Sequence, residues 1–179
     1  KTIGLGVMYG MGYNKLAREL DIEPPEAKKM LADFRERVPF MQGMLEAVMN
    51  RANTKGIIRT LLGRKCRFDL WEPTQWGVHK ALPHNQAKVE YGDAIKRAGT
   101  YKALNRLIQG SAADQTKKAM VDVYEQTGII PHIQVHDELD CSVKDEKQAK
   151  EIKHIMETCV DLEVPSKVDI DLGESWGDK

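Results

Sequence analysis

The sequence predicts an α+β fold, helical through most of its first 127 residues and closing on a small antiparallel sheet. Three observations carry this expectation. Apolar residues recur at helical spacing in several stretches before position 127. Two alternating runs, residues 129–135 and 139–143, flank the tripeptide His136-Asp137-Glu138. An amphipathic pattern over 145–160 is followed by one more alternating stretch, VPSKVDIDLG.

Taken in order, residues 1–20 read as helical, with a bend at Gly10-Met11-Gly12. Pro24-Pro25 opens a second helix, because proline is tolerated in a first turn. Residues 26–38 place Met30, Leu31 and Phe34 on one face. Pro39 interrupts that pattern, 40–51 continue as another helix, and Gly56 ends it. GIIRTLLGRKCRF has β-branched residues and a glycine, which predicts a short hairpin or irregular ribbon. Residues 71–83, broken by Pro73, Gly77 and Pro83, are expected to be a loop. A long helical zone is expected over 85–127, with Ala103, Leu104, Leu107, Ile108 and Ala112 at helical spacing and Gly128 as its stop. The two runs around His136-Asp137-Glu138 become strands, 145–160 a helix with Ala149, Ile152, Ile155 and Met156 inward, and VPSKVDIDLG a last strand.

Composition narrows the setting. The 179 residues suffice for one domain or two small ones, and 41% apolar with 30% charged residues is ordinary for a globular protein. No apolar run approaches the length of a membrane span, so no membrane partner is expected. Cys66, Cys141 and Cys159 fit neither a disulfide framework nor a zinc site, which predicts a reducing, cytoplasmic setting. The first residue is Lys1 and helical periodicity starts at once, so the sequence reads as a piece of a longer chain. Net charge is zero, but it is unevenly spread. Residues 121–179 hold fifteen Asp and Glu against six Lys, leaving an excess of nine positive charges over 1–120. Residues 50–68 carry Arg51, Lys55, Arg59, Arg64, Lys65 and Arg67 with no acid. Such a division suits an enzyme that grips phosphates with one part and metal ions with another; a lopsided solvated surface is the plainer alternative.

Three constellations could carry chemistry. A carboxylate at the tip of a hairpin stands on a rigid scaffold yet reaches beyond the sheet, a good place for a hard cation such as Mg²⁺; an acidic turn is the bland alternative for His136-Asp137-Glu138. Lys1, Leu5 and Tyr9 lie at i, i+4 and i+8 and share one helix face, suited to a phosphate, a sugar and a base in order, or else to an ordinary amphipathic helix. Asn105 and Gln109 lie one helical turn apart and can both donate and accept hydrogen bonds.

Together with TLLGRK and GESW, the stretches KTIGLGVMYG, NRLIQGSAAD and QVHDEL occur in the order and rough spacing of the family A DNA polymerases, which the chain resembles over nearly its whole length. The resemblance implies a partial fingers subdomain over 1–95 and a partial palm over 96–179, with its small antiparallel sheet. It implies template-directed DNA synthesis, with nucleotidyl transfer from dNTPs to a primer 3′ end. Lys1 then resembles the lysine that contacts the incoming phosphates and protonates the leaving pyrophosphate, and Tyr9 the tyrosine beside the template base. Leu5 stands where the family usually has Phe or Tyr near the sugar. Thr60, Gly63 and Arg64 resemble a DNA-backbone motif, Asn105 and Gln109 minor-groove readers, and His136 the contact to the primer terminus. Asp137 resembles a metal-binding catalytic carboxylate, and Glu138 its supporting acid.

Two departures matter. A D-Y-S-x-I-E-x-R motif, which supplies the family's other catalytic Asp, does not occur here, and Tyr101 stands where a basic residue is expected. The implied two-Mg²⁺ site is therefore expected to be completed by an upstream polymerase segment, in the same parent chain or a second polypeptide, and these residues alone are expected to be inactive. Primer–template DNA and dNTPs are the other expected partners. A phage-type single-subunit RNA polymerase shares the Lys…Tyr-Gly helix and the His-Asp turn, but its turn typically continues with Ser. A non-catalytic DNA-binding or assembly module is the remaining alternative.

Overall fold

Glycines and prolines set most of the element boundaries in the computed structural model, which describes residue 6 and residues 11–178. Met11 and Gly12 are non-helical, and helix α1 (Tyr13–Leu20) begins directly after them. It ends at Asp21, which adopts the left-handed conformation (φ 53°). Helix α2 (Pro24–Arg37) starts on its two prolines as expected. It packs Ala27 and Leu31 against Leu16 and Ala17 of α1, with Met11, Leu20 and Ile22 at the margin. Helix α3 (Pro39–Lys55) closes on Gly56, whose φ of 67° suits a residue without a side chain.

The basic ribbon is a hairpin. Strands β1 (Ile57–Arg59) and β2 (Lys65–Arg67) pair antiparallel with Ile58 opposite Cys66. Its inner face joins a core of Ala52, Ile58, Phe68 and Ala103, flanked by Val48, Cys66 and Leu107.

The next thirty residues differ from expectation. Residues 71–83 are not all loop, and 85–127 are not one helix. Strand β3 (Leu70–Pro73) pairs antiparallel with β4 (Leu82–Pro83) on one side and β5 (Ile95–Arg97) on the other, in the order β4-β3-β5. Between β4 and β5 lies the short helix α4 (His84–Tyr91). Strands this short leave little alternation to read, and β3 finds its partner β5 more than twenty residues later. The end of α4 was marked, however: Gly92 and Gly99 both have positive φ, 74° and 68°.

A 3₁₀ turn at Thr100–Lys102 leads into helix α5 (Ala103–Thr127), about 37 Å long at 1.5 Å per residue. Strands β6 (Ile133–Val135) and β7 (Glu138–Asp140) form the second hairpin, shorter than the alternation implied. Helix α6 (Glu146–Thr158) is capped by Asp145, whose carboxylate accepts from the Gln148 amide at 2.8 Å. Val123, Ile152 and Ile155 form the core there, with Ile129, Cys141, Val143 and Met156 around them. Residues 164–173 run without regular structure instead of forming the expected last strand. Side chains hold them in place: Gln115 donates to Ser166 at 3.1 Å, and Glu157 accepts from the Val168 amide at 2.9 Å. Contacts divide the chain into two units, residues 1–109 and 110–179.

Candidate active site

The two-residue turn of the second hairpin is His136-Asp137, since Val135 pairs with Glu138. His136 has φ 53° while Asp137 does not have a positive φ, the sign pattern of a type II′ turn. Glycine is the residue that usually takes the first central position of such a turn. A histidine there stores backbone strain of about 1–2 kcal/mol. Gln134 braces the turn from below: its side-chain amide donates to the His136 carbonyl at 2.5 Å. At the open end of the hairpin His132 and Ser142 are in hydrogen-bond contact at 3.1 Å.

The result is a braced tip on which His136, Asp137 and Glu138, the residues singled out from the sequence, are all exposed. Two carboxylates offered side by side in water are hard oxygen donors of the kind that suit Mg²⁺. Among the described residues no group of three His, Cys, Asp or Glu side chains could hold a metal ion. The tip therefore fits part of a Mg²⁺ site, with Asp137 and Glu138 as donors, and a complete site needs a further ligand.

Asp137, Glu138 and all of β7 also line a cavity of about 590 Å³ in the same unit. Ala112, Gln115, Thr116 and Ala119 of α5 form one wall, and residues 166–172 another. None of the β6 residues lines it, and the hairpin is two-stranded, so β7 has no second strand partner among the described residues. Beside β7, burial pushes the Cys141 thiol above its ordinary value and the charge of Asp140 adds to the shift.

In the other unit, Thr60 and Arg64 flank the turn between β1 and β2. Thr60 is buried, and its hydroxyl accepts from the Arg64 amide at 3.0 Å while its own amide donates to the Arg64 carbonyl at 3.0 Å. Thr60 thus closes the turn that displays Arg64 and Lys65, both exposed. Gly63, with φ 84°, completes it, and Arg59 donates to the Gly63 carbonyl at 3.0 Å. Asn105 and Gln109 lie one turn apart on α5, Asn105 half-buried and Gln109 exposed. The Asn105 Oδ1 atom is buried without a hydrogen-bond partner. Lys1, Leu5 and Tyr9 lie outside the described residues.

Two contributors were not visible in the sequence. Gln134 looks like any polar strand residue until the turn is built. Arg97 reaches back to the Asn53 carbonyl (3.2 Å) and the Phe68 carbonyl (2.8 Å), and its guanidinium lies 4.7 Å from the Trp71 ring centroid. Those partners are 44, 29 and 26 residues away, so no local pattern could have signalled them.

Comparison with known proteins agrees over the full length. The model of the family described as DNA polymerase family A matches residues 1–178. The chain is 38% identical over 211 residues to a DNA-directed DNA polymerase of Pseudomonas phage M6, covering 99% of this chain and 28% of that one. It is 31% identical over 182 residues to the thermostable DNA polymerase I of Thermus aquaticus, covering 98% of this chain and 20% of that one. Among solved structures, the POL domain of Pol1 from M. smegmatis, in complex with DNA primer-template and dNTP, superposes with a TM-score of 0.69 at 28% identity. That match covers 92% of this chain and 27% of the other. The chain thus spans between a fifth and somewhat over a quarter of the length of these relatives.

Proposed function

Because the chain belongs to DNA polymerase family A, we propose that it forms part of the polymerising centre of an enzyme that extends a primer 3′ end with dNTPs on a DNA template. The observation that carries this is the His136-Asp137 turn, strained, braced and exposed, with a carboxylate at its tip. Asp137, supported by Glu138, would hold Mg²⁺, which when bound would supply charge neutralisation for the phosphoryl transfer. His136 orients the primer terminus. Arg64 and Lys65, on a turn closed by Thr60, contact the DNA backbone. Asn105 and Gln109 test pair shape from the minor groove, where every base pair presents an acceptor. Lys1 meets the incoming phosphates and Tyr9 the template base, while Leu5 sits by the sugar. Residues 1–95 serve as part of the fingers and 96–179 as part of the palm.

A second Asp is needed, and the cavity beside β7 indicates how it arrives. Two-stranded hairpins are marginal alone, and here Ile133 and Val135 of β6 are exposed as well. The cavity runs along β7 and residues 166–172, so a strand placed in it would pair with β7 and cover them. We assign that strand to the polymerase segment that carries the other catalytic Asp, from the parent chain or a second polypeptide.

Primer extension by the full-length protein tests the assignment. Asp137→Asn is expected to lower the rate by several orders of magnitude with Mg²⁺, because a metal loses a bridging ligand. Near-normal turnover by that variant would end the role given to Asp137. Efficient use of rNTPs in place of dNTPs would instead favour an RNA polymerase.

A further inference from the structure

Arg106 has no part in the roles given above. It is exposed in the first turn of α5, between Asn105 and Gln109. Its guanidinium lies over the Phe68 ring, 4.9 Å from the centroid, within the range of a cation–π contact. Phe68 is a fixed platform. It is 2% exposed and packs with Ala52, Ile58 and Ala103. Its amide donates to the Gly56 carbonyl and its own carbonyl accepts from Arg97, both at 2.8 Å. Phe68 directly follows β2, so the platform on which Arg106 rests is the foot of the basic hairpin.

The two segments that meet there are basic and largely unneutralised. Residues 50–68 hold six Lys and Arg, and residues 97–109 hold Arg97, Lys102 and Arg106, with no Asp or Glu in either stretch. Arg97 is engaged by the Asn53 and Phe68 carbonyls. Arg51, Lys55, Lys65, Arg67 and Arg106 form no ion pair among the described residues, and neither does Asp69, the acid next to Phe68.

An arginine laid on a ring keeps the N–H donors at its edges, and their planar fork matches a phosphate. Stacking also settles the side chain beforehand, so less freedom is lost when an anion binds. Asn105, Arg106 and Gln109 share one face of α5. A minor groove is only about 6 Å wide and is rimmed by phosphates. A cation beside two side chains that enter it meets that rim, where contacts position a protein without reading sequence. We propose that Arg106, held over Phe68, clamps a backbone phosphate of the primer–template duplex and joins the basic hairpin and α5 into one DNA-binding surface. This rests on the DNA-binding reading above.

The test is the salt dependence of primer–template binding by the full-length protein. Arg106→Gln is expected to lower the slope of log affinity against log salt by about one, and to weaken binding roughly tenfold near 0.1 M salt. Two DNAs of unrelated sequence should lose equally, because a phosphate carries no sequence. Arg106→Lys keeps the charge and should keep the slope. Lys28→Gln, which removes an exposed cation from α2, should leave it unchanged. A full slope loss in Arg106→Lys would show lost packing in place of a lost phosphate charge, and an equal drop in Lys28→Gln would show a general field; either overturns the clamp. An unchanged slope in Arg106→Gln, where Arg64→Ala lowers it, overturns the clamp alone. Weaker dNTP binding with duplex binding intact would move the phosphate to the nucleotide and overturn it too. A wild-type protein that did not bind the duplex would overturn the DNA-binding reading with it.

Discussion

His136 combines a side chain that we propose contacts the primer end with a backbone conformation that favours glycine. His136→Gly is expected to stabilise the protein by about 0.5–1 kcal/mol in urea unfolding, as the strain of a left-handed residue is relieved and only partly offset by chain entropy. On the proposed role of His136, the same substitution should slow primer extension in the full-length protein, because it removes the proposed contact to the primer end. The brace from Gln134 goes to a backbone carbonyl and survives the change. The opposite case is Gly56, with φ 67° and the Arg97 guanidinium 2.6 Å from where a Cβ would lie. Gly56→Ala should cost about 1–3 kcal/mol. In an Arg97→Ala background the clash disappears and only the conformational part of that cost should remain, a coupling that a double-mutant cycle in urea would read directly. At this scale the sequence was informative where one residue announces its own role. Gly56 did so as the stop of α3, whereas Gln134 and Arg97 act through partners that only folding brings near.

Elements were legible in proportion to their length and to the clarity of their ends. Helices α2 and α3 begin at Pro24 and Pro39, and α6 begins directly after its cap Asp145, as their start signals require. For α6 the cap is reinforced: Gln148 both donates its amide to Asp145 and accepts from the Lys144 amide at 2.9 Å. Asp145→Ala should therefore cost about 1 kcal/mol, measured as a shift in denaturation midpoint. The β3-β4-β5 sheet escaped notice because strands of two to four residues have no period to detect and are held by distant partners. Residues 164–173 show the converse. Their alternation suits a strand, but a strand needs a neighbour, and the nearest candidate edge lies across the cavity.

Across the whole molecule the charge is divided rather than balanced. Residues 121–179 carry nine excess negative charges and residues 1–120 nine excess positive ones. Affinity for duplex DNA should accordingly fall steeply with salt, and Arg64→Ala should lower the slope of log affinity against log salt by about one, the signature of one phosphate contact removed. The family and the α+β class were readable from the motif order alone, while the accessory sheet was not, since none of those motifs falls within it. The open flank of β7 has a practical consequence as well. A two-stranded sheet whose strand β7 has no second strand partner among the described residues, and whose Ile133 and Val135 are exposed, invites pairing with whatever backbone is at hand, including that of another copy. Produced by themselves, these 179 residues should be prone to precipitate, and supplying the strand that completes the sheet should rescue their solubility before any catalysis is assayed.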